Sequence, residues 1–320
     1  MCTFAKYFGY LQKFNSHVME ITTFNQLLDA VRQHESVRRI AVVNPCDHCS
    51  IEALEMAINA GIAQFILVGD CNLKSQLPAV ISDSDKVRIV ETDSQNPDIL
   101  AAKAVELIRQ GEADILMKGL VNTDNYLRAI LNKEHGLLPK GNVLTHLSVA
   151  ELPGYHKLLF FSDVAVIPYP TLQQRVEILK YDLTTCRKFG IAVPKVALIH
   201  FTEKVNEKFP NSVDYIKLEE MAANGDFGKV EMGGPMDVKT ACDRHSAEVK
   251  GIQSDVCGNA DLLIFPNIES GNTFYKTITL FGNATIAGML QGASCPVILP
   301  SRSDSPESKF NSMLLACISA

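Results

Sequence analysis

The sequence predicts an α/β fold: two domains with mainly parallel sheets and a cleft between them. Three observations lead there. Short β-branched runs are apolar on both faces, helical windows separate them, and a chain of 320 residues is too long for one small core. Small-molecule sites favour clefts between domains.

The strands are expected at RIAVV (39–43), QFILVG (64–69), VRIVE (87–91), DILMKG (114–119), KVALIHF (195–201), DLLIFP (261–266) and PVILP (296–300). Unbroken apolar runs of this length are what parallel strands covered by helices look like. A helix is expected over 98–110 (DILAAKAVELIRQ), ending at Gly111 with Arg109 in its last turn, and another over 171–189, starting near Thr171 and stopping at Gly190. Pro and Gly in LPGYHK (152–157) interrupt the pattern, and a domain boundary is placed there. Ser305, Pro306 and Glu307 carry the signals of a helix start, after which Phe310, Met313, Leu314 and Cys317 fall on one face. Residues 1–18 lack the patterning of the rest, and Met19 offers a second start, so this segment reads as an extension or as a misassigned upstream initiation.

Hydrophobic residues make up 47% and charged residues 21% of the chain, a globular composition without a bias toward disorder. A formal net charge of −6 argues against nucleic-acid and anionic-membrane surfaces but leaves room for a local anion site. The nine cysteines are odd in number and irregularly spaced, which reads as reduced thiols. No run approaches a membrane span, and the first twenty residues lack the apolar centre of a secretory signal. A soluble, cytoplasmic protein is expected.

Cys46-Asp47-His48-Cys49 invites a redox or zinc reading. A zinc site needs a second ligand pair, and neither another CxxC nor an HxxxH occurs. Asn44-Pro45 and Asp47 serve equally as turn and cap. In DILMKGLVNTDNYLRAIL (114–131) a strand runs into Lys118-Gly119, then Thr123, then a helix bearing Arg128. Ligands bind where strands end and helices begin, so Lys118 and Arg128 are expected to face one anion and Thr123 to supply a cap and a hydroxyl. PNIESGNTFYKTI (266–278) follows an apolar strand with Gly271-Asn272 and then Tyr275-Lys276, read either as a site loop or as a turn before a solvated helix. In PSRSDSPESKF, neither cap nor turn requires the guanidinium of Arg302, whose planar fork suits phosphate or carboxylate. His48, His146, His200 and His245 have no partner legible in the sequence and are assigned to core or surface.

Four blocks together, MKGLVNTDNYLRAILN, FFSDVAVIPYPTLQQRVEI, KGIQSDVCGNADLLIFPNIESGNTFYK and GASCPVILPSRSDSPESK, resemble the phosphate acetyl/butyryltransferase family in order and spacing. The resemblance runs from about residue 20 to the end, and the LVNT and SRSDS forms resemble the butyryltransferase branch. It implies two αβα domains of the isocitrate/isopropylmalate dehydrogenase type. The first would be discontinuous (1–150 plus 290–320) and the second would span 151–289. The implied activity is acyl exchange between coenzyme A and inorganic phosphate by a homodimer or larger assembly, with coenzyme A as a substrate and no permanently bound cofactor or metal. By this resemblance Ser301 and Arg302 are catalytic, and Thr123, Arg128, Gly271, Asn272, Tyr275 and Lys276 bind substrate, to which Lys118 is added for its place at the strand end. The catalytic aspartate of the acetyltransferase branch falls on Ser308, so Asp304 is expected as the base, with Glu307 behind it. The rival readings are an NAD-dependent hydroxy-acid dehydrogenase, for which no aspartate cluster that would hold a metal is seen, and an inactive anion-binding homologue.

Overall fold

The computed structural model describes residues 20–301 and 304–320. The chain begins with α1 (Phe24–Arg32), β1 (Arg38–Val43), α2 (His48–Ala60) and β2 (Ala63–Asp70). After two single helical turns come β3 (Val87–Thr92), α3 (Pro97–Arg109), β4 (Ile115–Lys118) and α4 (Thr123–Ile130). β5 (Thr145–Glu151) and β6 (Leu159–Ser162) lead into α5 (Leu172–Lys188), β7 (Lys195–Ile199), α6 (Pro210–Ala223), β8 (Glu231–Met236) and β9 (Leu262–Ile264). The last elements are α7 (Ile268–Phe281), β10 (Thr285–Gln291), β11 (Val297–Ile298) and α8 (Pro306–Ser319).

The strands form one eleven-stranded sheet in the order β3-β2-β1-β4-β11-β10-β5-β6-β9-β7-β8. Its two wings are parallel, as the apolar runs predict. At the centre, β11–β10, β10–β5 and β5–β6 pair antiparallel, so the wings point in opposite senses. In β1, Ile40 and Val42 enter one buried cluster while Ala41 and Val43 enter another. Alternate side chains of a strand point to opposite faces, so both faces of this strand are covered. Tyr126 of α4 is buried among the second cluster and donates to the carbonyl of Ile298 at 3.3 Å, tying α4 to β11.

The seven expected strands are all present, the last four shorter than their apolar runs. β5, β6, β8 and β10 are additional to them. Thr171 caps α5 with a complete capping box, and Ser305 caps α8 by accepting from Ser308 N. Phe310, Met313, Leu314 and Cys317 of α8 are buried in one cluster as expected, and burial extends to every residue from Lys309 to Cys317, so the helix is enclosed. Among the described residues, no helix is long and apolar enough to cross a membrane.

Candidate active site

The loops after β4, β6 and β11 converge with the first turns of α7 and the middle of β5 and β10 on a cavity of about 280 Å³. Larger hollows of about 690 and about 1000 Å³ lie elsewhere. Convergence of polar side chains, rather than volume, singles out the smaller one.

Gly119 ends the β4 turn because a Cβ there would stand 2.5 Å from the carbonyl oxygen of Val43. That close approach brings β4 and β1 together and sets the start of α4. Asn122, not Thr123, occupies the N-cap position, and Thr123 is the first helical residue, lining the cavity. The expected cap therefore belongs to its neighbour. Lys118 is buried, and its ammonium donates to the carbonyls of Gly119 at 3.3 Å and Val121 at 3.1 Å. Arg128 is paired at 2.8 Å with Asp98 of α3, with its side chain 66% exposed. Lys118 and Arg128 both stand apart from the cavity lining.

Gly271 and Asn272 lie in the first turns of α7 instead of in a turn before it. A Cβ at 271 would meet the Asp163 carbonyl oxygen at 2.4 Å, and Asn272 donates to the Val164 carbonyl at 3.0 Å. The pair thus clamps α7 onto the loop after β6. That loop is ordered from inside by the buried carboxylate of Asp163. It accepts from the amides of Ala165, Val166 and Ile167 and from Thr145 Oγ1 at 2.9 Å.

One turn further along α7, Tyr275 and Lys276 reach the cavity, with the lysine ammonium 4.7 Å from the tyrosine ring centre. The Tyr275 hydroxyl donates to Asp304 Oδ1 at 3.2 Å. Burial, reinforced by the Asp304 charge, pushes this phenol well above its ordinary range, so it stays a donor at neutral pH. The other Asp304 oxygen accepts from Ser301 N at 2.7 Å, and Asp304 N returns a bond to Ser301 O at 3.2 Å. Ser301 and Asp304 thus close a tight loop on the cavity wall. Arg302 lies outside the described residues. Thr123, Asn272, Tyr275, Lys276, Ser301 and Asp304 are brought together by the fold.

The sequence reading missed His146 and Ser148, both buried on β5 and both lining the cavity. Ser148 Oγ lies 3.4 Å from His146 Nδ1. Ser312 of α8 was missed as well. It accepts from Gly288 N at 2.9 Å and donates to Ser308 O at 2.8 Å, bracing α8 against β10.

None of residues 46–49 lines this cavity. Asp47 caps α2 by accepting from Ser50 N, and it also accepts from Lys309 Nζ of α8 at 2.7 Å. Burial and the nearby Asp70 and Asp47 push the Cys46 thiol up, the reverse of what a reactive cysteine needs. Among the described residues no group of three His, Cys, Asp or Glu is placed to hold a metal ion.

Comparison with known proteins places this arrangement. Residues 85–317 match the family described as "Phosphate acetyl/butaryl transferase". The phosphate butyryltransferase of Clostridium acetobutylicum is 38% identical, with 94% of this chain and 99% of that protein covered. That of Clostridium beijerinckii is 37% identical over 93% of this chain and 97% of its own length. Among solved structures, a branched-chain phosphotransacylase from Enterococcus faecalis V583 superposes with a TM-score of 0.75 at 29% identity, covering 88% of this chain and 99% of that one. The hydroxy-acid dehydrogenase alternative is not the better supported reading. This chain belongs to the phosphate acetyl/butyryltransferase family.

Proposed function

We propose that the protein transfers a short-chain acyl group, butyryl by preference, reversibly between coenzyme A and inorganic phosphate, giving acyl phosphate and free coenzyme A. The observation that carries the proposal is the meeting of Thr123, Asn272, Tyr275, Lys276, Ser301 and Asp304 at one cavity in a chain of this family. The two sheet wings are read as two αβα domains of the isocitrate/isopropylmalate dehydrogenase type, with the cavity in the cleft between them. The enzyme is read as a cytoplasmic homodimer or larger assembly.

In this mechanism the coenzyme A thiol attacks the carbonyl carbon of the acyl phosphate, and negative charge gathers first on the carbonyl oxygen and then on the departing phosphate. Ser301 donates to the former, while Arg302, with Lys276 and the amide end of α4 at Thr123, holds the latter. Asp304 supplies a carboxylate beside the thiol and holds the Ser301 loop in shape. Both substrates sit together, so alignment contributes much of the rate gain without a covalent enzyme intermediate. Coenzyme A is a substrate here, and the chemistry calls for no resident cofactor.

The test is thiol release from butyryl-CoA in the presence of phosphate. Phosphate-dependent release supports the proposal. No release, in a folded preparation, leaves the inactive anion-binding reading. A nicotinamide-dependent absorbance change with a hydroxy acid would revive the dehydrogenase.

A further inference from the structure

We propose that His146 is the catalytic base of this site, taking the coenzyme A thiol proton on Nε2 and delivering it to the departing phosphate oxygen. The inference rests on the acyl-transfer reading above and names the proton carrier, which that reading leaves to Asp304.

Three observations carry it. The first is position: His146 projects from the middle of the sheet, is only 8% exposed and lines the cavity. Its Nδ1 stands 3.4 Å from Ser148 Oγ, and its amide donates to Asp163 Oδ2 at 3.3 Å. One ring nitrogen is thereby oriented, and Nε2 has no hydrogen-bond partner among the described residues.

The second is room made for the ring. Gly288 of β10 pairs with Ser148, and a Cβ there would stand 2.8 Å from Cε1 and 3.1 Å from Nε2 of His146. A glycine inside a strand weakens it and marks a close approach. Here what approaches is the imidazole edge bearing Nε2, and Gly288 itself lines the same cavity.

The third is charge. Asp163 faces the ring from the loop after β6 and Asp304 from the loop after β11. Tyr275 and Lys276 face the cavity from α7, and the buried Asp182 of α5 stands behind Asp163. Burial lowers the His146 pKa, so the ring is neutral and ready to accept a proton, while the Asp163 and Asp304 charges favour the imidazolium once it forms. Asp304 is less suited to the task, because both of its oxygens already accept, from Tyr275 and from Ser301 N.

The step balances. The S–H proton passes to Nε2 as sulfur bonds the carbonyl carbon. The C–O bond to phosphate then breaks with its electron pair going to oxygen, and the imidazolium returns the proton there. The products are acyl-CoA, hydrogen phosphate and a neutral ring.

The experiment measures kcat, KM and the pH–rate profile for butyryl-CoA with phosphate, in wild type and in the variants His146→Gln, Asp304→Asn and Gly288→Ala. Expected are a kcat fall of roughly a hundredfold to ten-thousandfold in His146→Gln, KM values within about threefold of wild type, and loss of the acid limb of the profile. Asp304→Asn should keep that limb and move it to lower pH, since one charge favouring the imidazolium is gone. Gly288→Ala, which displaces the ring without removing it, should cost kcat at least about tenfold and reads the same question should His146→Gln fail to fold. An acid limb that persists in His146→Gln, or that vanishes in Asp304→Asn alone, overturns the assignment. So does a Gly288→Ala variant with unchanged kcat. Absence of thiol release in wild type would instead remove the acyl-transfer reading itself.

Discussion

Arg302 is the residue whose chemistry was clearest before any geometry, because nothing in a helix start requires a guanidinium. If it holds the departing phosphate, Arg302→Gln should lower kcat by roughly tenfold to a thousandfold, the loss of one transition-state contact, while the melting temperature stays within a degree or two. Steady-state kinetics with butyryl-CoA and phosphate check this. His146 was illegible for the opposite reason: no local motif surrounds it. The one available signal was alternation. His146 and Ser148 share a face of β5, while Leu147 and Val149 enter the core, and this period of two over a short stretch marks a strand with one polar face. Asp47 gives a second prediction at this scale. Burial disfavours its charge, but hydrogen bonds from Lys309 and Ser50 win and hold its carboxyl below the ordinary 3.8. A depressed pKa stabilises the fold above the unfolded value and stops doing so as pH falls through the folded one. Asp47→Ala, which leaves the buried Lys309 ammonium with Ser50 Oγ but no counter-charge, should cost about 3 kcal/mol at pH 7 by urea unfolding, and the gap from wild type should narrow below about pH 4.

Among the elements, the strands of the wings other than β6 and β8 were legible, and the central β5 and β10 were not. Strands such as β1 and β2 are buried on both faces, so they are written as apolar runs. β5 and β10 turn one face to the cavity and carry His146, Ser148 and Gly288 there. β8 contains Gly233, Gly234 and Pro235, and a Cβ at 234 would stand 2.6 Å from the Leu198 Cβ. Close packing against β7 is what breaks its apolar pattern. α8 shows how tertiary context overrides a correct local reading: its cap and first turn are as expected, yet it is enclosed on all sides. Leu314, 0% exposed on that helix, has little room to relax. Leu314→Ala should destabilise by about 2–5 kcal/mol, read as a shift of the urea midpoint at unchanged slope.

For the molecule as a whole, the alternation of strands and helices pointed to α/β architecture, but it could not reveal that the wings run in opposite senses. That follows from three antiparallel pairings, of which the β10–β5 pairing joins strands distant in sequence that no local pattern brings together. The site was legible as separate loops; their convergence on one cavity is a property of the assembled sheet. Acyl-chain preference also belongs to this scale, because it depends on the apolar volume left once the loops have met. Each methylene in such a pocket is worth about 1–3 kcal/mol, so the two that separate butyryl from acetyl should raise kcat/KM for butyryl-CoA at least roughly tenfold above acetyl-CoA. Side-by-side thiol-release assays decide it, and equal values would assign the chain to the acetyl branch of the family.

The two-residue strand β11 lies between β4 and β10 and completes the N-terminal wing with residues synthesised long after β4. Until Val297 and Ile298 emerge, β4 presents an unpaired apolar edge to whatever lies near the ribosome, and unpaired edges invite aggregation. In a growing chain the β4 edge therefore stays open until β11 arrives, and the strand that ends that exposure also delivers the Ser301–Asp304 loop.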